Sequence, residues 1–124
     1  MPATSILIVE DVVQLAQIVQ ELLETEGYTV HCVHSYEEGL IALKAVAFEL
    51  LITDAHLGSH SGIELIRIVK HFRPDLRAIL TSGFPISSAQ KSDPSFRCTH
   101  FLNKPFTPAE LYACVRELLA TDCA

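Results

Sequence analysis

The stretch LLITDAHLGSHSG, residues 50–62, passes from aliphatic to polar in one step. Leu50, Leu51, Ile52 and Thr53 suit the middle of a buried strand, yet they deliver a carboxylate, Asp54, into a loop with two histidines and two glycines. An isolated buried carboxylate would sooner protonate than stay charged, so a strand ending on Asp54 must end at a partner, a solvent opening or a chemical task.

Outward from this stretch, short apolar runs alternate with segments of helical period, the βαβα pattern of a parallel sheet wrapped by helices. Ile6 to Val9 is a continuous aliphatic run, as expected of a strand buried on both faces, and it too ends in acid, at Glu10 and Asp11. Leu15, Ile18, Val19, Leu22 and Leu23 then recur at helical spacing, with Gly27 placed to end the helix in a left-handed conformation. Residues 28–33 alternate as a second strand, and Ser35 with Glu38 makes a capping box for a helix over 36–46. Phe48 to Thr53 forms the third strand, and Gly62 opens a third helix that Pro74 forbids to continue. A fourth strand spans 77–81. Between Gly83 and Phe96 the two prolines, four serines and few apolar residues leave room only for a short helix, over 86–92. Residues 98–102 make the fifth strand, and TPAE at 107–110 combines an N-cap, a first-turn proline and a capping glutamate for a last helix with Leu111, Val115 and Leu118 on its inner stripe.

Five strands and five helices in strict alternation predict an α/β, flavodoxin-like, doubly wound parallel sheet of order 2-1-3-4-5, one domain over 1–124. Sites in such sheets lie beyond the C-terminal strand edge at the switch between strands one and three. Glu10 and Asp11 should therefore meet Asp54, more than forty positions away in sequence.

Composition narrows the function. Nine Lys and Arg against fifteen Asp and Glu give a formal charge of −6, the wrong sign for neutralising phosphates of a nucleic acid, so direct nucleic-acid binding is not expected. The apolar runs are too short to span a bilayer, and MPATS carries neither a basic segment nor a cleavage pattern, so the expected location is the cytoplasm, with no membrane contact. Cys32, Cys98, Cys114 and Cys123 have no CxxC spacing, and a reducing cytosol would keep them as thiols. The His/Cys groupings (His31, Cys32 and His34; His56 and His60; Cys98 and His100) each lack a closed four-ligand set for zinc.

Three carboxylates on one mouth repel by about 4 kcal/mol per pair at 4 Å if the effective dielectric is near 20, so positive charge must sit there. A magnesium ion is one source, since it takes one or two carboxylates, a carbonyl and waters; Lys104, leaving the fifth strand on the same edge, is another. Ser82 adds a hydroxyl. Metal, ammonium and hydroxyl around an open carboxylate suit phosphoryl transfer, with Asp54 as nucleophile and an aspartyl phosphate as product. An ionised carboxylate needs no general base.

The fragments ILIVED (6–11), LLITDAHLGSHSGIEL (50–65), AILTSG (78–83) and FLNKPF (101–106) resemble the receiver domains of two-component response regulators and hybrid histidine kinases over essentially the whole chain. Order and spacing carry the resemblance: Gly62 lies eight positions after Asp54, Ser82 with a small residue after it at twenty-eight, and Lys104-Pro105 at fifty. The resemblance implies a phosphoacceptor, Asp54, charged by phosphohistidine of a sensor histidine kinase or histidine phosphotransfer protein. Such a domain is not an enzyme in its own right but assists its own phosphorylation and dephosphorylation, then presents a changed surface to a downstream effector. It further implies Mg2+ held by Asp11, Asp54 and the backbone carbonyl of His56, with Glu10 acting through water. Ser82 and Phe101 become switch residues, Lys104 the lysine that pairs with the phosphoryl group, and Lys104-Pro105 a cis peptide. Thr81 competes with Ser82, and Gly83 after the hydroxyl favours Ser82. Glu10 in place of aspartate, Gly58 where proline is frequent and Val12 where a polar residue is usual depart from the commonest pattern; with His56 and Phe84 flanking the path of attacking water, they bear on the lifetime of the phosphoryl group. The face of helix four, strand five and helix five carries output in the family, and here a poorly ordered 83–96 segment could be the part that phosphorylation orders.

Two other readings compete. A pseudo-receiver would serve only as a phosphorylation-independent binding module, against which the intact Asp54 and Lys104 argue. A nucleotide or flavin binder of the same topology would bring glycines after the first strand, where this chain has EDVV, and an aspartate-based phosphatase would need Asp-x-Asp there.

Overall fold

The computed structural model describes residues 3–123. Residues 1, 2 and 124, which the expected domain and the N-terminal reading include, lie outside the described residues. The elements follow in the order β1 (Ser5–Val9), α1 (Val13–Thr25), β2 (Thr29–Val33), α2 (Tyr36–Ala45), β3 (Leu50–Asp54), β4 (His56–Leu57), β5 (His60–Ser61), α3 (Gly62–Phe72), β6 (Arg77–Ser82), α4 (Ser88–Lys91), a 3-10 turn (Pro94–Phe96), β7 (Thr99–Asn103) and α5 (Pro108–Ala120). The main sheet is parallel throughout, in the order β2-β1-β3-β6-β7, which is the predicted 2-1-3-4-5 topology once the small antiparallel β4–β5 pair is set aside.

Alternation along the strands divides the core between the two faces. Ile6 and Ile8 of β1 join Leu50 and Ile52 of β3 against Ala16, Val19 and Leu23 of α1 and Leu111, Val115 and Leu118 of α5. Leu7 and Val9, with Leu51, Ala78 and Leu80, turn the other way onto Leu43 of α2 and Leu65, Ile66 and Val69 of α3. Each fully buried Leu or Ile contributes about 1.5–3 kcal/mol, so β1 and β3 are held from both sides and their C-terminal ends are rigid platforms. Of the apolar residues that recur at helical spacing in α1, Ile18 is 55% exposed and lies on the outer flank of the helix.

The helix ends follow local chemistry. Thr107 and Glu110 form the expected reciprocal cap of α5. At α2 only half of the expected capping box forms: Ser35 accepts from the Glu38 amide, whereas the Glu38 carboxylate accepts from the amide of His34 and the Ser35 hydroxyl. Gly27, at φ +92°, ends α1 as expected. The predicted 86–92 helix shrinks to the four residues of α4, none of them buried, and β3 begins at Leu50 rather than Phe48 and takes in Asp54.

One expectation fails outright. Cys98 and Cys123 are joined in a disulfide across a Cα–Cα distance of 6.0 Å, so only Cys32 and Cys114 are free thiols. The chain after α5 folds back over the start of β6, where Arg77 Nη2 donates to the Thr121 carbonyl at 2.6 Å, and this return brings Cys123 to the residue preceding β7. Burial pushes each of the two free thiols up to about 11.

Candidate functional site

Parallel register brings the C-terminal ends of four strands to one mouth. Val9 pairs with Thr53, Asp54 with Thr81 and Ser82 with Asn103, so the residues that follow or end these strands (Glu10 and Asp11, Asp54, Ser82, Lys104) emerge together. Ligand atoms of Glu10, Asp11 and Asp54 lie within 4.8 Å of one another, the one such metal-capable group among the described residues. Glu10 and Asp54 are buried, at 5% and 8% exposure, while Asp11 faces solvent.

Lys104 Nζ donates to Glu10 Oε1 at 2.8 Å and to Asp54 Oδ2 at 3.1 Å. The remaining oxygens are met by the backbone, with the Val12 amide donating to Glu10 Oε2 at 3.2 Å and the His56 amide to Asp54 Oδ1 at 3.3 Å. Each buried carboxylate therefore has one ammonium and one amide donor, which answers the burial problem posed by the sequence. Burial raises the Glu10 carboxyl above its ordinary value; the Lys104 hydrogen bond opposes this and the charge of Asp54 adds to it. For Lys104 burial works downward, but the hydrogen bonds and charges of Glu10 and Asp54 outweigh it and hold the ammonium above its ordinary value.

The backbone supports these positions. Lys104-Pro105 is a cis peptide, as the resemblance implied, and the Lys104 amide donates to the Ser82 carbonyl at 2.8 Å. Ser82 ends β6 at the mouth, with its hydroxyl donating to the Phe84 carbonyl and accepting from the Phe84 amide. Thr81 instead turns its hydroxyl along the sheet toward the Thr53 carbonyl at 3.5 Å. Neither hydroxyl bonds to Asp54. His56 is exposed, its ring edge-on to Phe84 at 5.7 Å, and both line a cavity of about 260 Å³ with Ser82 and Gln90. Phe101 is half-buried, edge-on to Phe96 at 5.5 Å, with Lys91 Nζ 5.6 Å from its ring centre. Its ring contacts are with the α4 side of the molecule.

Beside the mouth, Leu15, Ile18, Leu22, Pro105, Phe106 and Pro108 border an apolar cavity of about 410 Å³ between α1 and the β7–α5 connection. Sequence reading did not single out this groove. Its signal was the width of the apolar stripe on α1, which exceeds what the sheet covers. Two histidines also gain unexpected contacts: His34 Nδ1 donates to the Glu10 carbonyl at 3.0 Å, and His60 stacks on Tyr36 at 4.3 Å.

Residues 6–116 match the response regulator receiver domain family. The chain belongs to that family. As a receiver domain it is 32% identical over 114 residues to the uncharacterised transcriptional regulatory protein YkoG of Bacillus subtilis, covering 92% of this chain and 50% of that protein. It is 29% identical to the sensor kinase CckA of Brucella abortus over 89% of this chain and 12% of the kinase. The chain thus spans at most about half the length of these curated relatives. Among solved structures, a CheY-like receiver domain from Methanospirillum hungatei superposes with a TM-score of 0.85 at 28% identity, covering 95% of this chain and 94% of that one. The response regulator TrrA of Thermotoga maritima, solved in complex with Mg2+-BeF, superposes at 0.80 with 27% identity, covering 93% and 98%. The all-oxygen cluster of Glu10, Asp11 and Asp54 has the hard-ligand chemistry that a Mg2+ ion, as carried by TrrA, requires.

Proposed function

We propose that this receiver domain, taken as one unit over residues 1–124, is charged at Asp54 by phosphohistidine of a sensor histidine kinase or histidine phosphotransfer protein. The observation that carries the reading is the Lys104 ammonium bridging Glu10 and Asp54 at 2.8 and 3.1 Å, a cation placed where phosphoryl charge would arrive. An Asp54 carboxylate oxygen attacks phosphorus, the P–N bond of the phosphohistidine breaks, and its electron pair leaves with the imidazole. The His56 amide holds Oδ1 while Lys104, already on Oδ2, follows the charge onto the phosphoryl oxygens. Asp11, Asp54 and the His56 carbonyl would hold Mg2+, with Glu10 reaching it through water; when bound, the ion supplies further positive charge at the phosphoryl oxygens.

The apolar groove between α1 and Phe106 lies directly beside this mouth and suits the helical partner that presents the histidine. In response, Ser82 leaves the Phe84 backbone for the phosphoryl group and Phe101 moves with it, so the thinly packed 83–96 segment reorders. That reordering presents a surface to a downstream effector, in the cytoplasm and without contact to nucleic acid. The domain assists its own phosphorylation and dephosphorylation.

Incubation with acetyl phosphate and Mg2+ should add one phosphoryl mass, and Asp54→Asn should abolish the addition. Hydrogen exchange with beryllofluoride should gain protection over 83–96. No mass gain in the wild type would leave the pseudo-receiver reading, and unchanged protection would remove 83–96 as the switch.

A further inference from the structure

We propose that His60 is a positioning residue for the phosphoacceptor, an inference that rests on the phosphoryl-accepting role of Asp54. Its imidazole stacks on the ring of Tyr36 with centroids 4.3 Å apart and planes 14° from parallel, and its Nε2 lies 3.1 Å from Glu37 Oε1. Both partners belong to the first turn of α2, which is anchored on the sheet through Gly39 and Leu43.

The β4–β5 hairpin is where such an anchor acts. Two residue pairs, His56 with Ser61 and Leu57 with His60, make up its whole ladder, and an isolated pair this small is marginal in water. Its first residue supplies the amide that meets Asp54 Oδ1. His60 pairs with Leu57 at the far end of the ladder, so docking its ring on Tyr36 limits how far the hairpin can swing and keeps the His56 amide on the carboxylate. The contact with Glu37 is largely exposed and contributes little, so beside the buried Leu57, which packs into the core, the ring stack is the hold that His60 itself adds.

The same turn serves the other side of the mouth. His34, two residues before Tyr36, donates from Nδ1 to the Glu10 carbonyl at 3.0 Å, so the segment from His34 to Glu37 touches both the end of β1 and the hairpin that follows Asp54. Glu10 is also tied through its carboxylate to Lys104 and the Val12 amide. Asp54 is tied through its carboxylate to the same Lys104 and to the His56 amide, and His60 adds a hold on the hairpin that carries that amide.

The test compares wild type, His60→Ala and His60→Phe in acetyl phosphate uptake and in the Mg2+ concentration that half-saturates it, with melting temperature measured alongside. His60→Ala should slow uptake about three- to tenfold and raise the half-saturating Mg2+ concentration, since small misplacements of a reacting group cost rate steeply. His60→Phe, which keeps the stack and loses the Glu37 contact, should restore both to within about twofold. A purely structural residue would shift melting alone. Equal uptake by folded His60→Ala and wild type, or failure of His60→Phe to restore it, overturns the inference. A wild type that takes up no phosphoryl group overturns instead the phosphoacceptor reading beneath it. Should His60→Ala not fold, His60→Leu, which fills the space without an aromatic face, takes its place under the same criteria.

Discussion

Gly62 shows at the scale of one residue how tightly the mouth is built. A Cβ there would lie 2.0 Å from the Asp54 carbonyl oxygen and 2.9 Å from Thr53 Oγ1, so the start of α3 can pass behind the strand end only as glycine. Gly62→Ala should therefore cost about 3 kcal/mol, read as a fall in the denaturant midpoint with the slope unchanged. A loss of less than half that would mean that the loop relaxes away from β3. The sequence marks Gly62 as a helix opener, whereas the backbone contact behind it arises only from the packing of α3 against β3. Asp54, Glu10, Asp11 and Lys104 were legible because each ends or follows a strand, and strand ends in a parallel sheet share one edge. His34 and His60 were not. Their contacts join the β2–α2 turn to β1 and β5, and nothing in the local sequence marks which loop histidine will find an aromatic ring or a carbonyl.

Among the elements, those with strong internal periodicity matched expectation, with the α2 cap formed only by half, while those made by a few contacts between distant segments did not. The Thr107–Glu110 box, the inner stripe of α5 and the continuous aliphatic run of β1, buried on both faces, are local patterns, and all three stand as read. The β4–β5 hairpin escaped notice because strands of two residues have no period. The Cys98–Cys123 disulfide escaped because 25 positions separate the two cysteines, and their meeting depends on the return of the chain after α5. It closes β7 and α5, which flank Lys104, into a single loop. On the chain-entropy account a loop of this length contributes about 3.5 kcal/mol, so Cys98→Ser should lower the oxidised protein's stability by about that amount, and reductant should lower the wild type equally while leaving the variant unchanged. Alkylation in denaturant should find two thiols before reduction and four after.

For the molecule as a whole, the mouth is a concentration of negative charge in a chain whose formal charge is already −6. A cation that binds the folded mouth and not the unfolded chain must raise stability by mass action. Mg2+ at ten times its dissociation constant should add about 1.4 kcal/mol, visible as a rise in the denaturant midpoint, and Asp11→Asn should remove most of it. An equal rise in that variant would place the ion elsewhere. The sequence by itself determined the order of elements, the parallel sheet and the meeting of three acids, a lysine and a hydroxyl at one edge, because hydrophobic period and strand-end chemistry are local and topology follows from them. Only the tertiary structure decided which oxygen each donor meets, how close α3 may approach Asp54, which cysteines pair and what holds the hairpin. Those outcomes depend on distances of a few tenths of an ångström between segments far apart in the chain, and no local pattern encodes them.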